Sequence, residues 1–175
     1  MIEELVHIKA DSAVLEGALS LPEETEAVVI FAHGSGSSRH SRRNQFVANV
    51  LREAGIGTLL FDLLTEAEDT VYENRFDIPL ITGRLIASTR WLKKKPQTER
   101  FRTKELNMGY FGASTGAAAA IAAAAELTAE IGAVVSRGGR PDLAMESLGS
   151  LRAPTLLIVG GRDESVLELN QQAYE

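Results

Sequence analysis

The stretch NMGYFGASTGAAAAIAAAAEL, residues 107–127, joins an uninterrupted apolar run to a nearly pure run of alanine through Gly112, Ala113, Ser114, Thr115 and Gly116. An apolar run without polar alternation is the pattern of a strand buried on both faces. Alanine is the best helix former, so the second run predicts a helix. The pattern G-x-S-x-G between them has a steric cause: a tight turn lifts the middle hydroxyl above the sheet, and a side chain at either glycine collides with neighbouring backbone. Strain of about 1–3 kcal/mol at one residue persists only where the surroundings hold it, and a small-residue helix packed close to the sheet is such a clamp. The competing reading makes the small residues mere packing aids and Ser114 an N-cap. The junction of strand and helix favours Ser114 as a nucleophile.

Working outward, ELVHIKA and VLEGALSLP alternate like two strands of an antiparallel hairpin, turning at Asp11 and Ser12. AVVIFAHG predicts a buried strand that ends in the glycine-rich HGSGSS, and IGTLLFDLL another. Between them Phe46, Val47, Val50, Leu51 and Ala54 recur at helical spacing before Gly55. Residues 69–74 lose their period. Ile78, Ile81, Leu85 and Leu92 then predict a helix ending at Lys95 before Pro96, followed by a polar loop to Leu106. IGAVVSRGG and APTLLIVGG predict two more strands, and VLELNQQAYE a last helix. Strands alternating with helices imply an α/β fold: a three-layer α/β/α sandwich on a mainly parallel sheet, with the N-terminal hairpin antiparallel. The 175 residues fit one domain, 1–175.

Composition narrows the function. With 45% hydrophobic and 24% charged residues the chain is of the globular class. A net charge of -6 argues against nucleic acid as a partner, since phosphates must be met by clustered Lys and Arg. Cysteine is absent, which excludes disulfides and thiolate metal sites. No apolar run approaches the length of a membrane span and the start has no basic flank before an apolar segment, so no membrane partner and a cytoplasmic location are expected.

Two further segments bear on chemistry. AHGSGSS, residues 32–38, can turn backbone N–H groups toward the oxygen that becomes negative in acyl transfer. The expected donors are the N–H groups of Thr115 and Ser35, with Gly34 as the rival to Ser35. The same loop, near Arg39, Arg42 and Arg43, also suits an anion nest, but it lacks the G-x-x-x-x-G-K-[ST] spacing. In GGRDESV, Asp163 follows an apolar strand, where a carboxylate can orient a catalytic imidazole. The plain alternative has it capping the last helix. Asp142 is the reserve acid, because the chain order is Ser, acid, His.

AHGSGSSRHSRRN, TLLFDLLTEAE, YFGASTGAAAA, VVSRGGRPDLA and APTLLIVGGRDESVLELN together resemble the α/β-hydrolase family, and within it dienelactone hydrolase-like proteins. The chain is most similar to the hydrolase-like domains that accompany a phosphoribosyltransferase domain in some bacteria, so association with such a domain is a partner expectation. The resemblance implies a central sheet, a nucleophile at Ser114, an acid at Asp163 and no cofactor or metal. Dienelactone hydrolase proper uses a cysteine nucleophile, whereas here the position holds Ser114. The family places its histidine after the acid, but the last histidine here is His40, with His33 and His7 before it. His33 is expected to shape the turn and His7 to lie on the surface or pack. The expectation is therefore a C-terminally incomplete domain, lacking its last strand and helix and inactive without the missing histidine. A short loop around RGGRPDLAMESLGS leaves the pocket open to a small ester, thioester or lactone, with Arg137 or Arg140 able to meet a substrate carboxylate. The alternative function is a non-catalytic binding or regulatory module serving phosphoribosyl metabolism.

Overall fold

The computed structural model describes residues 1–94 and 106–175. The end of the predicted helix at Lys95 and most of the polar loop before Leu106 lie outside the described residues. Seven strands form one mixed sheet in the order β1-β2-β4-β3-β5-β6-β7. The hairpin of β1 (Ile2–Ala10) and β2 (Ala13–Leu21) is antiparallel, and β2 also joins β4 (Gly57–Phe61) antiparallel. β3 (Ala27–Ala32), β4, β5 (Asn107–Ala113), β6 (Ile131–Arg137) and β7 (Thr155–Ile158) run parallel.

The apolar runs are explained by burial on both faces. From β3, Val28, Ile30 and Ala32 enter one core and Phe31 the other; from β4, Leu59 and Phe61 part from Leu60 in the same way. Helices α3 (Ile78–Lys94) and α4 (Thr115–Leu127) cover the first face, and α1 (Arg42–Glu53) the second. The short helix α5 (Met145–Leu148) precedes β7, and helix α6 (Glu164–Tyr174) follows it.

Helix α1 is turned from its predicted face. Asn44 and Ala48 are its buried residues, with Val47 and Leu51 partly so, while Phe46 is 70% and Val50 50% exposed. Asn44 faces inward because its Oδ1 accepts a 3.1 Å hydrogen bond from Arg137 at the end of β6. Leu156 and Ile158 of β7 pair in register with Val135 and Arg137, which point to the α1 side, and are also exposed. Among the described residues, α1 is the one helix packed on this side of the sheet.

Around residues 69–74, where the sequence loses its period, the structure holds two short helices. Helix α2 (Glu66–Asp69) begins with a capping box in which Thr65 and Glu68 satisfy each other's backbone N–H groups, and a 3-10 turn (Tyr72–Phe76) follows. The Thr-x-x-Glu spacing was a legible signal for it. Glu68 also pairs at 2.6 Å with Arg84 of α3, whose buried guanidinium reaches Ala10 O in the hairpin turn. Burial pushes the Glu68 carboxyl up, but bonds from Thr65 and Arg84 outweigh it, so the net shift is downward. The unfolded chain therefore binds a proton that the folded chain refuses. This contribution is complete above the ordinary value of 4.5 and is lost as pH falls through the lowered folded value. Urea midpoints of the natural protein should fall on acidification through this window, and Glu68→Gln, already weaker at neutral pH, should lose less. Parallel titration curves for the two proteins would refute the linkage.

Candidate active site

Ser114 stands between the end of β5 and the start of α4 with φ 53° and ψ -122°. Left-handed φ is costly for a residue with a Cβ. The site holds this conformation by gripping both backbone groups. The Ser114 N–H donates to Arg137 O at 3.4 Å, and its carbonyl accepts from Ala117 N–H at 3.0 Å and Arg140 N–H at 3.2 Å. The flanking glycines are required by contact. A Cβ on Gly112 would run into the backbone of Ala117, and one on Gly116 into the carbonyl oxygens of Ala32 and His33, all inside 3.0 Å. The alanines let α4 approach this closely. Ser114 is partly exposed and its side chain makes no capping hydrogen bond, so the N-cap reading does not describe it.

The loop after β3 comes directly against the serine. A Cβ on Gly34 would lie 3.0 Å from the Ser114 Cβ, which puts this loop over the elbow at the carboxyl ends of adjacent parallel strands. The Ser35 N–H donates to Thr115 Oγ1 at 3.0 Å. Thr115 is buried and Ser35 exposed. For the Ser35 N–H to grip a substrate oxygen it must exchange that hydroxyl for the ligand.

His33 is fixed by both ring nitrogens. Nε2 accepts from Leu63 N–H at 3.0 Å, so Nδ1 carries the proton and donates to Gly34 O at 2.9 Å. Burial lowers its pKa, outweighing the bond to Gly34 and the Asp62 and Asp69 charges that raise it. His33 is thus a neutral brace for the loop, as the sequence led us to expect. His40 is exposed. Arg39, one of the cations of the anion-nest reading, is engaged by Asp62 and by Glu16 at 2.7 Å.

Asp163 occupies the N-cap position of α6, beyond β7, and is exposed. It makes no capping bond through its side chain, which is approached by Ser165 Oγ at 3.5 Å. The reserve acid Asp142 is engaged by Arg140 through two bonds of 2.8 and 2.7 Å. That pairing holds the Asp142 carboxyl below its ordinary value. Arg137 meets Asn44 and lies 6.0 Å from the Phe111 ring centroid. The structure thus unites Ser114, Thr115, Gly34 and Ser35, and places Asp163 on a separate segment. Sequence reasoning missed Arg75, which lines a small cavity with Ser35, Gly36 and Thr115. Asp69 holds its guanidinium through two 2.8 Å bonds. No periodic signal marked it, since it lies in the short 3-10 turn Tyr72–Phe76, directly after the aperiodic residues 69–74.

No family model matches the chain. A crystal structure of dienelactone hydrolase from Anabaena variabilis is 49% identical with a TM-score of 0.91, over 98% of this chain and 79% of that one. An esterase from Pyrococcus furiosus shares the fold at 22% identity and TM-score 0.78, over 99% of this chain and 76% of that one. Two strains of Mycobacterium tuberculosis have proteins provisionally named phosphoribosyl transferases, 57% identical over 171 residues and 98% of this chain. The chain spans 38% of the length of these curated relatives. Among the described residues no helix is long and apolar enough to cross a membrane.

Proposed function

Because the chain belongs to the dienelactone hydrolase family of α/β-hydrolases, we propose that it is a serine hydrolase of small carboxylic esters, thioesters or lactones. The observation that carries this reading is the strained, partly exposed Ser114 beneath the Gly34 loop, spared from any capping duty. A hydroxyl held in this way attacks a carbonyl if a base removes its proton. The developing oxyanion is received by the Thr115 N–H and by that of Ser35 or Gly34, where a small side chain or none leaves the loop backbone accessible. Asp163 orients the imidazolium.

The base comes from outside these residues. His33 uses both ring nitrogens internally, and His7 and His40 are exposed side chains that precede the serine in the chain. In this reading the histidine is supplied by another segment, and the exposed apolar side chains of Phe46, Val50, Leu156 and Ile158 lie on the α1 side of the sheet. Arg140 and Arg75 are each held by a carboxylate, Asp142 and Asp69, but Arg75 also lines the cavity beside Ser35 and Thr115 and is therefore the cation better placed to meet a substrate carboxylate.

A second reading, a non-catalytic module joined to a phosphoribosyl-handling domain, is favoured by the 38% coverage of relatives named for that activity. A fluorophosphonate probe separates the two. On the natural protein at full length, the enzyme reading expects one modified peptide, that containing Ser114. Absence of labelling under conditions that modify a control serine esterase would leave the module.

A further inference from the structure

We infer that Asn170 is a positioning residue for the proposed reaction, its buried amide fastening the helix that starts at Asp163 to the loop that holds the backbone of Ser114. The inference rests on the serine hydrolase reading above. Asn170 is 4% exposed and is the one fully buried residue of α6, with Val166, Leu169 and Ala173 partly buried and the rest of the helix exposed. Its Nδ2 donates to Gly139 O at 3.0 Å and to Val166 O at 2.8 Å. Both neighbours are carbonyl oxygens, so only the NH2 group can face them and the amide's orientation is unambiguous. Its Oδ1 is buried and has no partner among the described residues. A leucine here would lose both donated bonds and leave the Gly139 carbonyl without this donor, so the amide ties two segments together rather than merely filling space.

What Asn170 grips is the hub of the site. The loop at 137–140 accepts from the Ser114 N–H at Arg137 O and donates to the Ser114 carbonyl from Arg140 N–H. Between these two bonds, Gly138 N–H donates to Ile158 O of β7 at 2.7 Å, and a Cβ at Gly139 would run into Ser136 and the Ala117 Cβ. Gly139 O is the loop's link to α6. Helix α6 starts at the proposed acid, and its own first bond runs from Leu167 N–H to Asp163 O at 2.8 Å. Hydrogen bonds and the peptide links between them therefore join the acid's segment to the nucleophile's strained backbone through one side-chain amide. The catalytic serine and acid come from elements separated by a strand, β6, and the loop with Asn170 sets their spacing.

Asn170→Leu in the full-length natural protein is expected to lower kcat for a short-chain nitrophenyl ester about 100-fold, the scale of a misplacement of about 1 Å. KM should stay near its starting value, because no substrate contact is removed. In amide hydrogen exchange, protection of the Arg140 and Ser114 N–H groups should fall while that of Tyr110 and Val134 in the central strands stays. An Asn170→Leu protein that folds with unchanged kcat and unchanged Arg140 protection overturns the inference. If this variant does not fold, exchange of the unaltered protein decides. The amides of Arg140 and of α6 near Asn170 should open with one common denaturant dependence, and independent opening refutes the fastening. If Ser114→Ala leaves hydrolysis unchanged, the hydrolase reading fails, whereas the exchange result still judges the tether.

Discussion

Ser114→Gly is expected to make the protein more stable and, at full natural length, to abolish its hydrolytic activity. At φ 53° and ψ -122° a serine bears strain that glycine does not. Relief of this strain is worth about 1–3 kcal/mol, partly offset by the extra freedom glycine has in the unfolded chain. Ser114→Ala separates the two effects, because alanine retains the Cβ and the strain but lacks the nucleophile. Both variants should lower kcat about 10000-fold or more, as removal of a catalytic serine does. Only the glycine variant should gain stability. Urea unfolding and ester turnover measured on the same samples test this, and a glycine variant less stable than the alanine one would show that the elbow is not strained. His40→Ala, by contrast, should leave turnover unchanged. A strong loss there would mean that His40 is the base and that the histidine need not come from another segment.

Gly116→Ala carries the second large effect, and it acts on the fold. The added Cβ would sit against the carbonyl oxygens of Ala32, at the end of β3, and of His33, in the loop that follows, and backbone cannot rotate away as a flexible side chain could. Either α4 lifts from the sheet or the loop at 33–36 moves, and overpacking of this kind costs about 3 kcal/mol or more. In a domain of this size that corresponds to a loss of roughly 6–12 °C in Tm. The same shift would pull the Gly34 loop away from Ser114, so residual folded protein should also be poorly active. A Gly116→Ala variant that melts with the natural protein would contradict the close packing of α4 on β3. Gly55→Ala makes a useful contrast, because no atom lies within 4 Å of the position a Cβ would take. Its positive φ of 81° still costs strain, but no neighbour has to move.

The elbow was legible before any coordinates because its cause is local. A strand, a tight turn and a small-residue helix specify each other over a dozen residues, and the glycines are needed by contacts within that unit and with the adjacent strand. The mainly parallel character of the sheet was legible for a similar reason: buried strands read as unbroken apolar runs, and alternation with helices implies parallel pairing. The order of the strands was not legible. The capping box at Thr65 and Glu68 was equally readable, although the loss of helical period over the next residues masked it.

Other features depend on contacts between segments far apart in the chain. The helical period of α1 located the helix but not its orientation, because Asn44 is drawn inward by Arg137, a residue 93 positions away. The protonation of His33 follows from Leu63 N–H and Gly34 O meeting the two sides of one ring, which composition cannot show. The engagement of the Ser35 N–H by Thr115, 80 residues on, likewise needed the folded chain. By itself, the sequence determined where the backbone must bend and which residue types line the bend, since these depend on neighbours along the chain. Only the tertiary structure decided which donors are occupied, which ring nitrogen is protonated and which apolar face is left open, because each depends on atoms brought together by folding.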